Sequence, residues 1–217
     1  MIGANFREVC RLPRMASKFM QLVLTPAVQA AQERYFGKHQ TVAGAPARDP
    51  FTGDEAAFIA SRDSFYMATV NADGRPYLQH RGGPPGFLKV LGQHQLGFAD
   101  LKGNRQLLST GNLDGDDRVS LFLMDYPRRE RLKILGHARV LNAREHAGPG
   151  DLCDQLSPSP ELRGKIERLF LIEVVSYDWN CPQYITPRFT EEEVEAHVAP
   201  LKARIVELET QIAAAKI

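Results

Sequence analysis

Phe65-Tyr-Met-Ala-Thr-Val70, Asn71-Ala-Asp-Gly74 and Pro76-Tyr-Leu-Gln-His80 together decide the fold class. The first run is aromatic and β-branched, the second consists of turn formers, and the third returns to strand composition, so the three predict a hairpin. Beyond this hairpin, Phe87 to Leu91 and Gln95 to Ala99 read as strands flanking Gly92-Gln-His. Arg118-Val-Ser-Leu-Phe-Leu-Met124 reads as a buried strand, Arg131 to Leu141 alternates around Ile134, Gly136, Ala138 and Val140, and Leu169 to Val175 supplies one more. Short strands at close intervals with few helices between them predict a mainly β chain, an antiparallel six- or seven-stranded barrel or sandwich, and not a doubly wound sheet.

A length of 217 residues fits one domain with trimmings. Hydrophobic residues make up 43% and charged residues 24%, which excludes wholesale disorder. With 27 Lys+Arg against 26 Asp+Glu, no overall field draws the chain to nucleic acid or an anionic membrane, so any anion site is local. Cys10, Cys153 and Cys181 are odd in number and include no C-x-x-C pair, which predicts reduced cytoplasmic thiols rather than a disulfide framework or structural zinc. Arg7, Arg11, Arg14 and Lys18 precede the apolar run Phe19 to Leu24, as in a signal peptide, but Gln21 and Thr25-Pro26 fit a helix start better. Either Met1 or Met15 can serve as the start.

Thr25 as N-cap, Pro26 at the first position and Gly37 past the end predict a helix, followed by a linker or wrapping arm over residues 38–50. Asp54 is expected to cap a short helix through Ala60, and a further helical piece is expected near Glu161 to Arg168. Thr190 and Glu193 form a capping box, after which Val194, Val198, Leu201, Ile205, Leu208 and Ile212 alternate in steps of four and three. This heptad seam belongs either to a helix packed on its own barrel or to one packed across a dimer; Pro200 predicts a bend or a late start. The chain thus divides into an N-terminal helical arm and linker (1–53), a β domain (54–188) and a C-terminal amphipathic helix (189–217).

Three stretches can carry chemistry. Gln79-His-Arg-Gly-Gly-Pro-Pro-Gly86 ends a strand with Arg81 and then lacks bulky side chains, letting a ligand or another backbone approach; a rigid turn is the plainer reading. In Asp100-Leu-Lys-Gly-Asn-Arg105 and Ser109-Thr-Gly-Asn112, Lys102 and Arg105 can pair with phosphate oxygens while Gly103-Asn104 turns backbone N–H groups toward them. Two local cationic turns favour a small phosphorylated ligand over a polymer, and Walker A and G-x-G-x-x-G patterns are absent. Trp179-Asn-Cys-Pro-Gln-Tyr-Ile-Thr-Pro-Arg188 offers rings and amides for a flat heterocycle, or else a loop that plugs the barrel end with Trp179 and Tyr184.

These stretches, with Leu96-Gly-Phe-Ala-Asp-Leu-Lys-Gly-Asn-Arg105 and Leu132-Lys-Ile-Leu-Gly-His-Ala-Arg-Val140, resemble the pyridoxamine 5'-phosphate oxidase-related flavoproteins over roughly residues 54 to 188. The resemblance implies an FMN-binding split β-barrel, a homodimer with FMN at the subunit interface, and oxidation–reduction of a small organic substrate. It carries cofactor binding to Gln79, His80, Arg81, Asp100, Lys102, Asn104, Arg105, Ser109 and Thr110, with Trp179, Asn180 and Gln183 from the second subunit over the flavin ring. No residue is assigned a catalytic acid or base role. The family's B6 oxidases end in Arg-Leu-x-Pro, whereas this sequence ends in the heptad helix, so the vitamin B6 reaction itself is not expected. A non-enzymatic flavin sensor or carrier and a haem-handling split barrel are the alternative readings.

Other motifs receive plainer readings. Asp114-Gly-Asp-Asp117 is expected to be a hairpin turn, Arg128-Arg-Glu-Arg131 a solvated turn, and Cys181 a packing residue. His39, His94, His137, His146 and His197 have no metal-ligand spacing.

Overall fold

A computed structural model describes residues 17–179 and 182–215. Alternation of apolar and polar side chains drives the strands: Phe65, Met67 and Thr69 of β1 (Ser64–Val70) are buried, as are Val119, Leu121 and Leu123 of β5 (Arg118–Asp125). The others are β2 (Pro76–Gly82), β3 (Lys89–Gly92), β4 (Gln95–Leu101), β6 (Glu130–Asn142) and β7 (Ile166–Trp179). Seven strands form one sheet in the order β2-β1-β5-β6-β7-β4-β3. The registered pairs are antiparallel, as in Met67 opposite Gln79 and Asp100 opposite Arg168.

The sheet is rolled. β2 lies at one edge and β4 is next to the other, yet Arg81 of β2 reaches Asp100 of β4 at 2.7 Å. Inside the roll, Phe65, Met67, Leu96, Phe98, Ile134 and Phe170 are essentially inaccessible, and Phe98 stacks on Phe170 with centroids 4.7 Å apart. A second apolar cluster joins Ala99, Leu169 and Leu171 to Ala143, Cys153 and Leu156 of the segment that follows β6. Burial raises the Cys153 thiol above its ordinary pKa, which makes it a packing group rather than a nucleophile.

The apolar run after the basic N-terminal residues forms α1 (Ser17–Val23), with Phe19 buried and the Lys133 ammonium 4.8 Å from its ring centroid. Arg7, Arg11, Arg14, Met15 and Cys10 lie outside the described residues. In α2 (Pro26–Phe36) the Thr25 cap and Gly37 stop stand as expected. The cap of α3 (Gly53–Ala60) is Thr52, not Asp54: Thr52 and Glu55 form a reciprocal capping box. The arm between α2 and α3 is latched to β7, where Ser176 donates to Asp49 at 2.6 Å in a fully buried contact and Asp49 N–H reaches Val175 O. The helical piece expected at 161–168 is a 3-10 turn over Pro160–Lys165, because β7 begins earlier than its apolar run. Asp114 and Gly115, expected in a hairpin turn, end a helix α4 (Leu108–Gly115) instead.

The described residues fall into two compact units, residues 17–124 with 131–179, and residues 125–130 with 182–215. The second unit is dominated by α6 (Glu191–Ala215), which follows the short α5 (Leu152–Leu156) of the first. Its Thr190–Glu193 capping box is present in both directions, at 2.9 and 3.2 Å. The helix continues through Pro200 rather than starting after it. Among the described residues no helix is long and apolar enough to cross a membrane.

Candidate functional site

Strand alternation separates the three residues that end β2. Gln79 and Arg81 turn inward with Tyr77, while His80 turns outward beside Tyr66, ring centroids 5.5 Å apart. Gln79 accepts a hydrogen bond from the buried Ser109 hydroxyl at 2.8 Å, and Asn112 donates to Thr69 at 2.9 Å, so two bonds fix α4 against β1 and β2. Arg81 donates to one carboxylate oxygen of Asp100, and Arg168 donates to the other at 2.8 Å. Their side chains are only 12%, 15% and 19% exposed in the order Arg81, Asp100, Arg168. Burial pushes the Arg81 guanidinium below its ordinary pKa and Asp100 pushes it back; its Cζ lies over the Phe170 and Phe98 rings, 5.0 and 5.6 Å from their centroids. Asp100 is therefore the hub of an internal ion triad, and Arg81 is already held by it.

The Gly-Gly-Pro-Pro-Gly run folds onto its own chain. Gly83 N–H bonds to Asp63 O and Gly86 N–H to Arg62 O. Gly86 takes φ +76, and a Cβ there would meet Ala60 O at 3.0 Å, so the residue serves a close backbone approach. A small pocket of about 160 Å³ remains beside Arg81, Phe87, Phe98 and Asp100.

The cationic turn lies between β4 and α4. Lys102, Asn104 and Arg105 are exposed, and Asn104 Oδ1 accepts from Gln106 N–H at 3.2 Å. Arg105 and Leu107 occupy the left-handed region at φ 62 and 54, a conformation that costs a non-glycine residue about 1–3 kcal/mol and concentrates at functional loops. Leu107 stands at the N-cap of α4 and provides no side-chain cap. The first-turn amides of α4, Thr110 beside them and the two flanking cations make a donor set suited to a phosphate monoester. The sequence does not announce α4, because Ser-Thr-Gly-Asn is poor helix composition; of its two leucines only Leu113 is buried, and Leu108 is exposed.

Trp179 ends β7, half buried. Its indole N–H donates to Glu55 at 2.7 Å and its ring meets Phe58 edge-on at 4.8 Å. Its polar edge is thereby engaged within its own unit. Asn180 and Cys181 lie outside the described residues, Gln183 is exposed in the second unit, and Tyr184, expected in a barrel plug, is 93% exposed.

Burial opposes ionisation of Glu55, but bonds from Thr52 and Trp179 outweigh it and hold the carboxyl below its ordinary 4.5. A lowered carboxylate contributes stability above its unfolded pKa and loses it as pH falls through the folded value. The melting temperature is therefore expected to hold from neutrality to about pH 5 and to fall below it, with Glu55→Gln showing a shallower acid limb. Parallel acid limbs in the two proteins would mean that the Glu55 bonds with Thr52 and Trp179 do not support the acid stability.

The family profile described as pyridoxamine 5'-phosphate oxidase matches residues 51–159, from the start of α3 to the turn before β7. No curated protein matches the sequence. Among solved structures, HupZ of Group A Streptococcus is 13% identical, with 64% of this chain and 100% of that chain covered at a TM-score of 0.45. A general stress protein 26-related protein of the pyridoxinephosphate oxidase family from Clostridium acetobutylicum is 13% identical, with 65% and 94% covered at 0.45. An FMN-binding protein from Syntrophomonas wolfei is 10% identical, with 58% and 83% covered at 0.44. The profile spans half of the sequence and takes in β1 to β6 of the rolled seven-stranded antiparallel sheet, which is a split barrel: the chain belongs to the pyridoxamine 5'-phosphate oxidase family.

Proposed function

We propose that the protein binds FMN by its phosphate at the N-terminus of α4 and acts as a flavin-dependent oxidoreductase on a small organic substrate. The observation that carries this reading is the uncapped α4 terminus, held open by left-handed Arg105 and Leu107 and flanked by the Lys102 and Arg105 charges. Lys102, Arg105, Thr110 and the first-turn amides hold the phosphate. Gln79, fixed on Ser109, and Arg81, fixed on Asp100, position the strand end beneath it. When bound, the flavin supplies hydride and electron transfer, and the protein supplies binding and orientation. Two copies pair to form the site; the outward face of β1 and β2, with Leu78 62% and Tyr66 38% exposed beside His80, supports that pairing. Asn180 and Gln183 remain candidates for the ring from the second copy.

Titration with FMN and with riboflavin separates phosphate recognition from ring recognition. FMN is expected to bind at least tenfold more tightly, a difference of about 1.4 kcal/mol. Arg105→Ala is expected to weaken FMN by about 1.5–3 kcal/mol and to leave riboflavin unchanged. Equal affinities for the two flavins, or an unaffected Arg105→Ala, would sink the phosphate site. Oxidation of reduced nicotinamide by the FMN-loaded protein with an electron acceptor distinguishes an enzyme from a carrier. A Soret band with no flavin uptake would replace FMN with haem.

A further inference from the structure

We propose that α6 pairs with α6 of a second copy as a parallel, in-register two-stranded coiled coil, a tether separate from the cofactor site. The inference deepens the pairing of two copies proposed above and rests on it, because three heptads are too short to associate firmly unless the barrels hold the helices near each other.

The seam has a defined composition. Val198, Ile205 and Ile212 occupy the a positions and Val194, Leu201 and Leu208 the d positions. β-branched residues at all three a positions, with Leu at the two inner d positions, favour two parallel strands over higher oligomers. The seam lies open in the single chain: Leu201 is 63% exposed, and Ile205 and Ile212 are each 55% exposed. Pro200, which removes one backbone donor, falls at a c position and so faces away from the partner.

Charge selects the orientation. In a parallel pair the g residue Arg204 faces the e residue Glu209 of the second copy, the reciprocal contact forms on the other side, and the preceding g–e contact sets His197, neutral at pH 7, beside Lys202. The antiparallel register that mates every a with a d also exists, with Ile205 facing Leu201. It sets Lys202 against the second copy's Lys202, Arg204 against its Arg204, and Glu195 against its Glu209, which are all like-charge pairs. In the single chain Arg204 is paired to Glu207 at 2.5 Å, and Lys202 to Glu195 at 3.0 Å, so exchange for an intermolecular partner needs only rotamer changes.

Cross-linking of the full chain tests the inference. Ile205→Cys places a thiol in the seam, where facing a residues approach the separation that a disulfide needs, and Ala203→Cys places one at f on the far side. Both positions are exposed, so neither substitution disturbs the core. Under mild oxidation Ile205→Cys is expected to yield a covalent dimer linked from 205 to 205, identified by peptide mapping, at about ten times the yield of Ala203→Cys. If the parent chain sediments as a dimer without that link, the coil is wrong while the barrel pairing stands. A monomeric parent overturns both. A link between mixed Leu201→Cys and Ile205→Cys chains, with none from 205 to 205, overturns the parallel orientation.

Discussion

Asp100→Ala is expected to lower the unfolding free energy by about 3–5 kcal/mol and the melting temperature by roughly 10 °C. Both oxygens of Asp100 are engaged, one by Arg81 and one by Arg168, and all three groups are mostly removed from solvent. Truncation leaves two guanidinium groups facing each other, and Arg81 lies over Phe98 and Phe170, where solvent is scarce. Arg168 keeps Glu167 at 3.2 Å, so the damage falls mainly on Arg81 and on the contact that joins β2 to β4. Asp116 provides the contrast. Its hydrogen bonds with Arg118 bring its carboxyl down to about 2, yet that partner is 74% exposed and returns to water when the carboxylate is removed, so Asp116→Ala should shift the denaturation midpoint far less than Asp100→Ala. Equal small losses for the two substitutions, measured in denaturant at neutral pH, would mean that the triad does not close the barrel.

Hydrophobic period made the strands legible. Every strand expected from alternation or an apolar run is present, and β1 and β5 match their expected limits to within a residue. Strand ends and caps were less legible because partners decide them. β7 extends to Trp179 because β6 pairs with it that far, from Asn142 opposite Arg168 to Leu132 opposite Trp179. Thr52 displaces Asp54 as a cap because Glu55 returns its bond and Trp179 takes the other carboxylate oxygen, a partner 124 residues away.

The candidate site was legible as composition and not as arrangement. Lys102 and Arg105 lie in the turn before α4 and Ser109 and Thr110 in its first turn, but that helix is invisible to propensity and is fixed to β1 by the bond from Asn112 to Thr69. Period two alone places His80 on the opposite face from Gln79 and Arg81, so that separation was available from the sequence. The Arg81–Asp100–Arg168 triad was not. It needs the β4–β7 register and the rolling of the sheet, and no local pattern encodes either. A buried arginine beside a carboxylate reads in sequence like an anion-binding arginine; only geometry distinguishes them.

Gly136→Ala is expected to cost about 3 kcal/mol, near the upper end for inserting one methyl group into a packed interior. Gly136 sits at the register shift between Leu135 and Gly136, where β6 pairs with β7 in the middle of the sheet. A Cβ there would lie 2.5 Å from Glu173 O, a backbone atom fixed by the strand ladder, and 3.2 Å from Ile172 Cγ2. No rotamer change relieves a clash with a carbonyl oxygen, so the two strands must separate locally. Neighbouring Ala138 and Ile134 are buried, which spreads that displacement into the core. Gly164→Ala, with nothing within 4 Å of the new methyl, provides a matched control and should leave the midpoint within about 0.5 kcal/mol of the parent. Equal midpoints for the two variants in equilibrium denaturation would show that β6 can slip past its bulge without cost, and the tight pairing of β6 with β7 would then not set the curvature that brings β2 round to β4.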